Sequence, residues 1–404
     1  MIFTVIPYPV RANGVSIRYF PLIQYLSDKY EIDIIVIGNE NDIQEDIGEL
    51  RRHCRNVFFV QDPKYRKHGV VETWSTKVKF FFPWTSPISL VVDGGREIVR
   101  DIHKLLRDRR YGTIVWVGPY LCPYLFPLME SISADRIVVD FIDSPTLWQK
   151  RRLDRSMGLP LFQRYECWKT MRWEAGVIRR VSSAIYISEV DASIVPIYLT
   201  PRRRRRVIPN GISMESYSPG RRASLPAPNI GFLGNMAYSP NVEAVHWLHD
   251  EIFQPLRKMI PSLSLIVIGR DPVPSIRKLA ENLDVIVTGT VENIWDYVNS
   301  VDVFVFPLRI GGGLKNKILE AMYAGRPVVT TRIGNEGIEA TPGRDIMICS
   351  DPCEFVEVVR KLLSSENDRA RIGESARRLV SEKFSWPKII GQFEEAIMGS
   401  GRHR

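Results

Sequence analysis

Short apolar runs alternate with amphipathic stretches along most of the chain, and this alternation restricts the fold more than any other feature. Amphipathic stretches such as 96–107 and 165–180 have the spacing of helices. Because a strand, a crossover helix and a further strand form a right-handed unit, the pattern predicts parallel sheets covered by helices. The apolar runs predict strands at 2–6, 32–37, 57–60, 113–117, 137–141, 184–187, 230–233, 265–268, 285–287, 303–306 and 328–330.

The segment 201–228 interrupts this alternation. It contains five prolines and the turn-forming pair Asn210-Gly211, which is typical of a junction between domains. We therefore expect an N-terminal Rossmann-like domain at 1–200, a linker at 201–228 and a second Rossmann-like domain at 229–383. A C-terminal helix at 384–404 is expected to pack back toward the first domain. Such α/β domains bind ligands beyond the carboxyl ends of their strands, here in a cleft between the two.

The positive charge is concentrated in the same segment. The chain has a net charge of +9, and 201–228 holds seven arginines, with Arg202–Arg206 as their core, against the single acidic residue Glu215. A run of this kind can be a solvated linker or a surface for an anionic lipid or substrate. A nucleic-acid site is the weakest interpretation, because no aromatic residues interrupt the run for base stacking.

The sequence also predicts where the protein resides. No apolar run is long enough to span a membrane, and no signal-peptide pattern opens the chain. Five scattered cysteines without a Cys-x-x-Cys pair indicate a reducing cytosol. The aromatic stretch 74–84 is either a buried edge of the first domain or, with Lys77 and Lys79 beside it, a segment at a membrane surface. A cytoplasmic protein, loosely attached to the anionic inner face of the membrane, is therefore expected.

A glycine- and lysine-rich segment at 309–320 carries the clearest chemistry. A predicted strand runs into Gly311, Gly312 and Gly313, and then into a helix expected at 316–324. Glycines allow main-chain N–H groups to approach an anion, and the helix N-terminus adds partial positive charge. Lys315 and Lys317 lie where the helix dipole disfavours cations. Two lysines beside free N–H groups predict a diphosphate site, although the spacing is not that of a P-loop.

Glu320 follows Lys317 by three residues on the same helical face. It can form an ion pair with Lys317, or it can accept hydrogen bonds from a ribose diol. The pattern leaves both open.

The residues favour no metal, cofactor or catalytic histidine. No Asp-x-Asp sequence and no His, Asp or Cys cluster with ligand spacing is present, so the sequence predicts no metal site. Positive side chains and helix dipoles would then stabilise a leaving diphosphate. His246 and His249 are interpreted as solvated or packed residues of a helix that begins near Pro240.

The segment VDVFVFPLRIGGGLKNKILEAMYAGRPVVTT, at 301–331, resembles the donor-binding signature of retaining glycosyltransferases of family 4, which have the two-domain GT-B fold. GFLGNMAYSPNVEAVHWL is similar to the first strand and helix of that donor domain, and VIPNGIS to its entry segment. In the first half, PYPVRANGVSIRYFPLIQYLSDKYEIDIIV resembles the acceptor-side opening loop and helix. VVDFIDSPTLW resembles bacterial polysaccharide sugar transferases.

The resemblance implies roles for individual residues. Glu320 would hold the nucleotide ribose, and Lys317, Glu320 and Arg309 would form the catalytic set. Gly312 stands where many relatives have a glutamate directed at the donor sugar, so this chain departs from the pattern there. The donor and its diphosphate would be bound by Gly311, Gly312, Gly313, Leu314, Lys315, Gly234 and Asn235.

On the acceptor side the resemblance is looser. Relatives have a histidine near 117–123, a position at which VGPYLCP has none. Acceptor contacts are expected at Asn13, Gly14, Tyr120 and Asp143.

The resemblance thus implies a metal-independent glycosyltransferase without a cofactor. It would move a sugar from a nucleoside-diphosphate sugar, UDP rather than GDP, to a lipid-linked or polysaccharide acceptor with retention, in cell-surface polysaccharide biosynthesis. The alternatives are an inactive GT-B-like binding protein, a basic nucleic-acid-binding protein, and an epimerase of the same fold.

Overall fold

The computed structural model describes residues 1–3, 7, 14–38, 47–61, 87, 95–118, 126, 128–129, 132–153, 160–212, 217, 219, 221–310 and 313–399. The chain divides into two compact units. The first comprises Met1–Asn210 and Ile389–Arg404, and the second comprises Gly211–Lys388.

The first unit contains a parallel sheet of seven strands. Its strands are β1 (Ile2–Phe3), β2 (Asp33–Ile37), β3 (Asn56–Val60), β4 (Arg110–Val117), β5 (Ser133–Ile142), β6 (Ser183–Tyr186) and β7 (Arg205–Val207). Its helices are α1 (Gly14–Ser27), α2 (Gly48–Arg52), α3 (Gly95–Leu106), α4 (Pro145–Leu153), α5 (Pro160–Arg180) and α6 (Glu189–Ser193). Two short 3₁₀ turns, Ile197–Leu199 and Arg202–Arg204, precede β7. The strand order is β3-β2-β1-β4-β5-β6-β7.

The second unit contains a parallel sheet of six strands, in the order β10-β9-β8-β11-β12-β13. Its strands are β8 (Asn229–Leu233), β9 (Ser264–Ile268), β10 (Val285–Val287), β11 (Val303–Phe306), β12 (Val328–Thr330) and β13 (Met347–Ile348). Its helices are α7 (Ser239–Trp247), α8 (Gln254–Met259), α9 (Pro274–Leu279), α10 (Ile294–Val298), α11 (Asn316–Tyr323), α12 (Arg332–Asn335), α13 (Pro352–Ser364) and α14 (Glu366–Lys383). The π-helical turn Leu248–Phe253 joins α7 to α8. The last helix, α15 (Trp386–Met398), begins in the second unit and ends in the first.

The predicted α/β class with two doubly wound domains is confirmed. Every residue of β8, β9 and β11 is buried, as expected for strands covered by helices on both faces. In each sheet the strand order reverses next to its first strand, between β1 and β4 and between β8 and β11. These reversals are the topological switch points at which doubly wound sheets bind ligands.

The predicted linker differs from the structure in its first part. Arg205–Val207 pairs in parallel with β6, so these residues belong to the first sheet. The Arg205 guanidinium donates hydrogen bonds to the carbonyl oxygens of Ala192 at 2.7 Å and Val195 at 2.6 Å. Arg204 donates to the carbonyl oxygen of Arg179. Two of the five consecutive arginines therefore bond to the protein's own backbone, which a charge count cannot show.

One strand was not predicted, and two predicted segments cannot be compared with the structure. Strand β13 has only two residues and carries too little pattern to be predicted. The aromatic stretch 74–84 and residues 4–6 of the first predicted strand lie outside the described residues. Among the described helices, none is both long enough and apolar enough to span a membrane.

Candidate functional site

The candidate site lies at the switch point of the second sheet. The turn after β8 and the loop after β11 meet there, at the carboxyl ends of the two strands, and the loop leads into α11. The sequence predicted a ligand site at this segment from its glycines and lysines. The structure adds the residues of α7 that hold the segment in place.

Lys317 is the central residue of the site. Its Nζ lies 5.1 Å from the centroid of the Phe232 ring and donates a hydrogen bond to Oδ1 of Asn241. Burial, with a smaller contribution from the nearby Lys315 ammonium, lowers the pKa of Lys317 to about 7. No ion pair of Lys317 occurs in the part of the chain that the structure describes. An anion bound beside it would supply the missing counter-charge.

Asn241 connects two parts of the site. The residue is buried, and its Nδ2 donates to the carbonyl oxygen of Asn235 at 2.8 Å while its Oδ1 accepts from Lys317. The first turn of α7 is thereby tied both to the turn after β8 and to the start of α11. Sequence reasoning missed Asn241, because its partner Lys317 lies 76 positions away. Its place directly after Pro240 in a helical first turn was the available signal.

Gly234 and Asn235 shape the turn after β8. The Asn235 side chain accepts a hydrogen bond from the backbone N–H of Ala237 at 2.8 Å and so stabilises the turn itself. Gly269, after β9, has a φ of +147°, and a Cβ there would lie 1.7 Å from the Gly234 carbonyl oxygen. Only glycine permits this approach of two backbones. Sequence reasoning did not identify Gly269.

The loop before α11 is described at residues 307–310 and 313–315. Gly313 has a φ of +65°, which favours glycine, and its carbonyl oxygen accepts a hydrogen bond from Nζ of Lys315 at 2.5 Å. Lys315 and Leu314 are both buried. Gly311 and Gly312, including the position at which relatives have a glutamate, lie outside the described residues.

Arg309 is held against α7. Its Nη2 lies 2.8 Å from Oε1 of Glu243, and its guanidinium lies 5.0 Å from the centroid of the Trp247 ring. Sequence reasoning missed Glu243. Because this carboxylate already balances Arg309, the arginine would have to change partners before it could neutralise a diphosphate.

Glu320 lies half-buried on α11. An ion pair with Glu320 would raise the pKa of Lys317. Burial lowers that pKa instead, and the Lys317 ammonium points to Asn241 and Phe232. The electrostatics therefore argue against the ion-pair interpretation of Glu320.

The predicted acceptor residues are only partly described. Gly14 begins α1, and Asp143 is exposed directly after β5. Asn13 and Tyr120 lie outside the described residues. The residues described here contain no group of three or more His, Cys, Asp or Glu side chains placed to hold a metal ion. Metal independence remains a prediction.

The site lies within a recognisable domain. Residues 227–365 match the family model described as glycosyl transferases group 1. The structure resembles the sucrose-phosphate synthase of Thermosynechococcus elongatus with a TM-score of 0.68 at 15% identity, over 98% of this chain and 97% of that one. This chain has the GT-B fold. The residues matched by the family model all lie in its second unit.

A second GT-B neighbour was solved with ligands. The Anabaena protein HepE, in complex with UDP and glucose, matches with a TM-score of 0.60 at 14% identity, over 98% of both chains. At this level of identity the likeness shows the fold alone.

Relatives in sequence extend the comparison. An uncharacterised 44.6 kDa protein in the cps region of Klebsiella pneumoniae is 20% identical over 95% of both chains. An uncharacterised glycosyltransferase of Methanocaldococcus jannaschii is 26% identical over 41% of this chain and 43% of its own. The capsular polysaccharide biosynthesis glycosyltransferase CapM of Staphylococcus aureus is 30% identical over 29% of this chain and 31% of its own. The chain thus spans less than half the length of the latter two.

Proposed function

We propose that this GT-B protein is a retaining glycosyltransferase of family 4. In this proposal it transfers a sugar from a UDP-sugar to a lipid-linked or polysaccharide acceptor in cell-surface polysaccharide biosynthesis. The observation that carries the proposal is the position of the Lys317 ammonium, held between Oδ1 of Asn241 and the Phe232 ring at the switch point of the second sheet, within the segment that matches the glycosyltransferase model. Burial lowers the pKa of Lys317, and the negative charge of a donor diphosphate beside it would favour the protonated ammonium.

Each finer part of the proposal has its own support. UDP is favoured by the neighbour HepE, whose structure holds UDP and glucose. A role in polysaccharide synthesis is supported by CapM and by the cps-region protein of Klebsiella pneumoniae. Retention is supported by the resemblance of the segment 301–331 to retaining glycosyltransferases. The site residues on α11 and its loop belong to that segment.

The proposed mechanism is a displacement on one face of the sugar. The bond between the anomeric carbon and the diphosphate oxygen breaks, and the acceptor hydroxyl oxygen bonds to the same carbon. The acceptor proton passes to the departing diphosphate, so the chain need not supply a strong base. Lys317, Lys315 and Arg309 would stabilise the negative charge on that diphosphate, and Glu320 would hold the ribose.

The acceptor would approach residues of the first unit, of which Gly14 and Asp143 are described. No cofactor besides the donor is required. A cytoplasmic location with loose attachment to an anionic membrane is part of the proposal.

Calorimetric titration with UDP-sugars and GDP-sugars, followed by product analysis, tests this function. We expect submillimolar binding of at least one UDP-sugar and its slow hydrolysis in the absence of acceptor. NMR of the transferred sugar should show the anomeric configuration of the donor. Tight binding without hydrolysis or transfer would support the inactive binding protein instead. Interconversion of two UDP-sugars would support the epimerase.

A further inference from the structure

The outer side of helix α5 carries side chains that the proposed chemistry does not use. Leu161, Trp168, Arg172 and Arg179 are spaced by seven, four and seven residues, which places them on one side of the helix. All four side chains are exposed; Leu161 is 79% exposed and Trp168 is 37% exposed. The opposite side packs into the core of the first unit. An outward-facing leucine and tryptophan among arginines is unusual for a helix that already buries another side.

Helix α4 packs on α5 and carries a second exposed indole. Trp148 is 55% exposed, and the Arg152 guanidinium lies 5.4 Å from the centroid of its ring. On α5, the Arg172 guanidinium lies 4.8 Å from the centroid of the Trp168 ring. Each indole therefore stays at the surface with a cation beside it, where both can contact a partner.

The 3₁₀ turn Ile197–Leu199 extends the surface beyond the end of α5. Nη1 of Arg179 donates to the carbonyl oxygen of Leu199 at 3.1 Å, which fixes the turn against the helix. Ile197 is 63% exposed and Tyr198 is 85% exposed. We call the whole surface the α4–α5 face, defined by Trp148, Arg152, Leu161, Trp168, Arg172 and Tyr198.

The charge around this face is strongly one-sided. Among the described residues of α4 and α5, six exposed side chains are Lys or Arg and none is acidic; the six are Lys150, Arg152, Arg164, Arg172, Arg179 and Arg180. Glu166, Glu174 and Asp191 are buried and contribute no negative surface. The face therefore fits an anionic partner.

We propose that the α4–α5 face docks on a membrane that contains anionic lipids. Arginines attract the anionic headgroups, while indole, phenol and aliphatic tips enter the boundary between headgroups and acyl chains. A nucleic acid would match the charge and could stack on the indoles. It would gain nothing from exposed Leu161 and Ile197, which lipid would bury. The proposal deepens the membrane attachment of the proposed function and does not depend on the donor site, which lies in the other unit.

This surface differs from the one that the sequence suggested. Arg204 and Arg205 of the arginine run bond to backbone carbonyls of the first unit. The stretch 74–84 lies outside the described residues. The face is built instead from residues of α4, α5 and the 3₁₀ turn Ile197–Leu199.

Co-sedimentation of the full chain with vesicles tests the proposal. We expect binding to vesicles of phosphatidylglycerol and phosphatidylcholine, little binding to phosphatidylcholine alone, and release by high salt. The double variant Arg152→Glu, Arg172→Glu should bind at least about 25-fold more weakly, because each lost basic residue weakens binding about fivefold. Leu161→Ser with Trp168→Ser should also weaken binding, and this loss should persist at low salt.

Matched variants on the second unit serve as controls. Leu283, 98% exposed, and Arg360, also exposed, are far along the chain from the face, so Leu283→Ser and Arg360→Glu should bind vesicles as the wild type does. Circular dichroism and UDP-sugar titration show whether each variant is folded, and they keep this test separate from that of the donor site.

Three results would overturn the proposal. They are equal binding to neutral and anionic vesicles, unchanged vesicle binding by both double variants, and tighter binding to a single-stranded RNA than to vesicles at the same salt concentration. The last result would assign the face to nucleic acid.

Discussion

Each unit of this GT-B protein holds a cation away from the open surface, Arg18 fully buried and Lys317 half-buried, and the two cations have different surroundings. In the first unit, Nε of Arg18 lies 2.8 Å from Oδ2 of Asp140, which also accepts from the Tyr19 hydroxyl at 2.7 Å. In the second unit, Lys317 has an amide oxygen and an aromatic ring beside it. Burial acts on both, but Asp140 holds the pKa of Arg18 above its ordinary value, whereas that of Lys317 falls to about 7.

We interpret Arg18, which is paired with a carboxylate, as a structural cation, and Lys317, which has an amide oxygen and a ring beside it, as a cation that can bind an anionic ligand. A buried charge that is paired and hydrogen-bonded contributes to a unique fold, and removing its partner leaves an uncompensated charge. A buried ammonium without a carboxylate is costly in the unliganded protein, and an anionic ligand removes that cost. We therefore expect substitutions at the first site to change stability and substitutions at the second to change binding.

The largest effect is expected from Asp140→Asn. Loss of the carboxylate leaves Arg18 charged and buried, which should lower the free energy of unfolding by about 3–5 kcal/mol. Urea denaturation followed by circular dichroism measures it. Asp135→Asn is the matched control, because Asp135 pairs with Arg110 at 3.1 Å on the surface and such pairs are worth about 0–1 kcal/mol. Equal losses in the two variants would contradict the structural role of the Arg18–Asp140 pair.

Lys317→Met should weaken UDP-sugar binding by about 10- to 100-fold, the range of a hydrogen bond to a charged group. The free energy of unfolding should stay the same or rise, because a desolvated cation is replaced by an apolar side chain. Calorimetric titration and denaturation measure the two quantities. Exposed Lys258, changed to Met, should alter neither. If Lys317→Met lost as much stability as Asp140→Asn, or bound the UDP-sugar with wild-type affinity, Lys317 would not be a donor-binding residue.

Asn241→Asp would give Lys317 a carboxylate like that of Arg18. The ammonium would then be neutralised internally, and UDP-sugar affinity at pH 7 should fall about tenfold, roughly one pKa unit of interaction. The affinity of the variant should also depend less on pH above 7, because its lysine stays charged. A variant that binds weakly but keeps the wild-type pH profile would show that Asn241 acts through the fold of the turn alone.

The smallest effect is expected from pH alone. If only protonated Lys317 binds the donor, the affinity for a UDP-sugar should fall about fivefold from pH 7 to pH 8, in proportion to the protonated fraction. Titrations in buffers with different ionisation enthalpies should show proton uptake on binding at pH 8. Lys317→Met should bind with no such dependence, and a flat wild-type profile would contradict the lowered pKa.

The same shift predicts how stability depends on pH. The folded pKa of about 7 lies below the ordinary value of 10.5. Between these values the unfolded chain holds the proton and the folded chain does not, so the free energy of unfolding should rise with pH across this window. Denaturation of the wild type and Lys317→Met at pH 7 and pH 9 measures this contribution.

The sequence predicted most of the fold because strand and helix periodicity are local. The eleven predicted strands correspond to strands of the structure wherever the residues are described. Strand β7 was missed because Arg205–Val207 lacks an apolar pattern, and it forms because the arginines find carbonyl partners elsewhere. The segment 309–320 was predicted as the site because strand, glycine loop and helix follow one another along the chain.

The sequence by itself determined the two doubly wound sheets and the succession of strand, loop and helix from β11 to α11, since both depend on residues close together in the chain. Only the tertiary structure decided which partner each charged side chain has and how its pKa is shifted. Lys317 meets Asn241 across 76 positions, Arg309 meets Glu243 across 66, and Arg18 meets Asp140 across 122. Desolvation and the choice of partner set a pKa, and both arise when distant segments pack together.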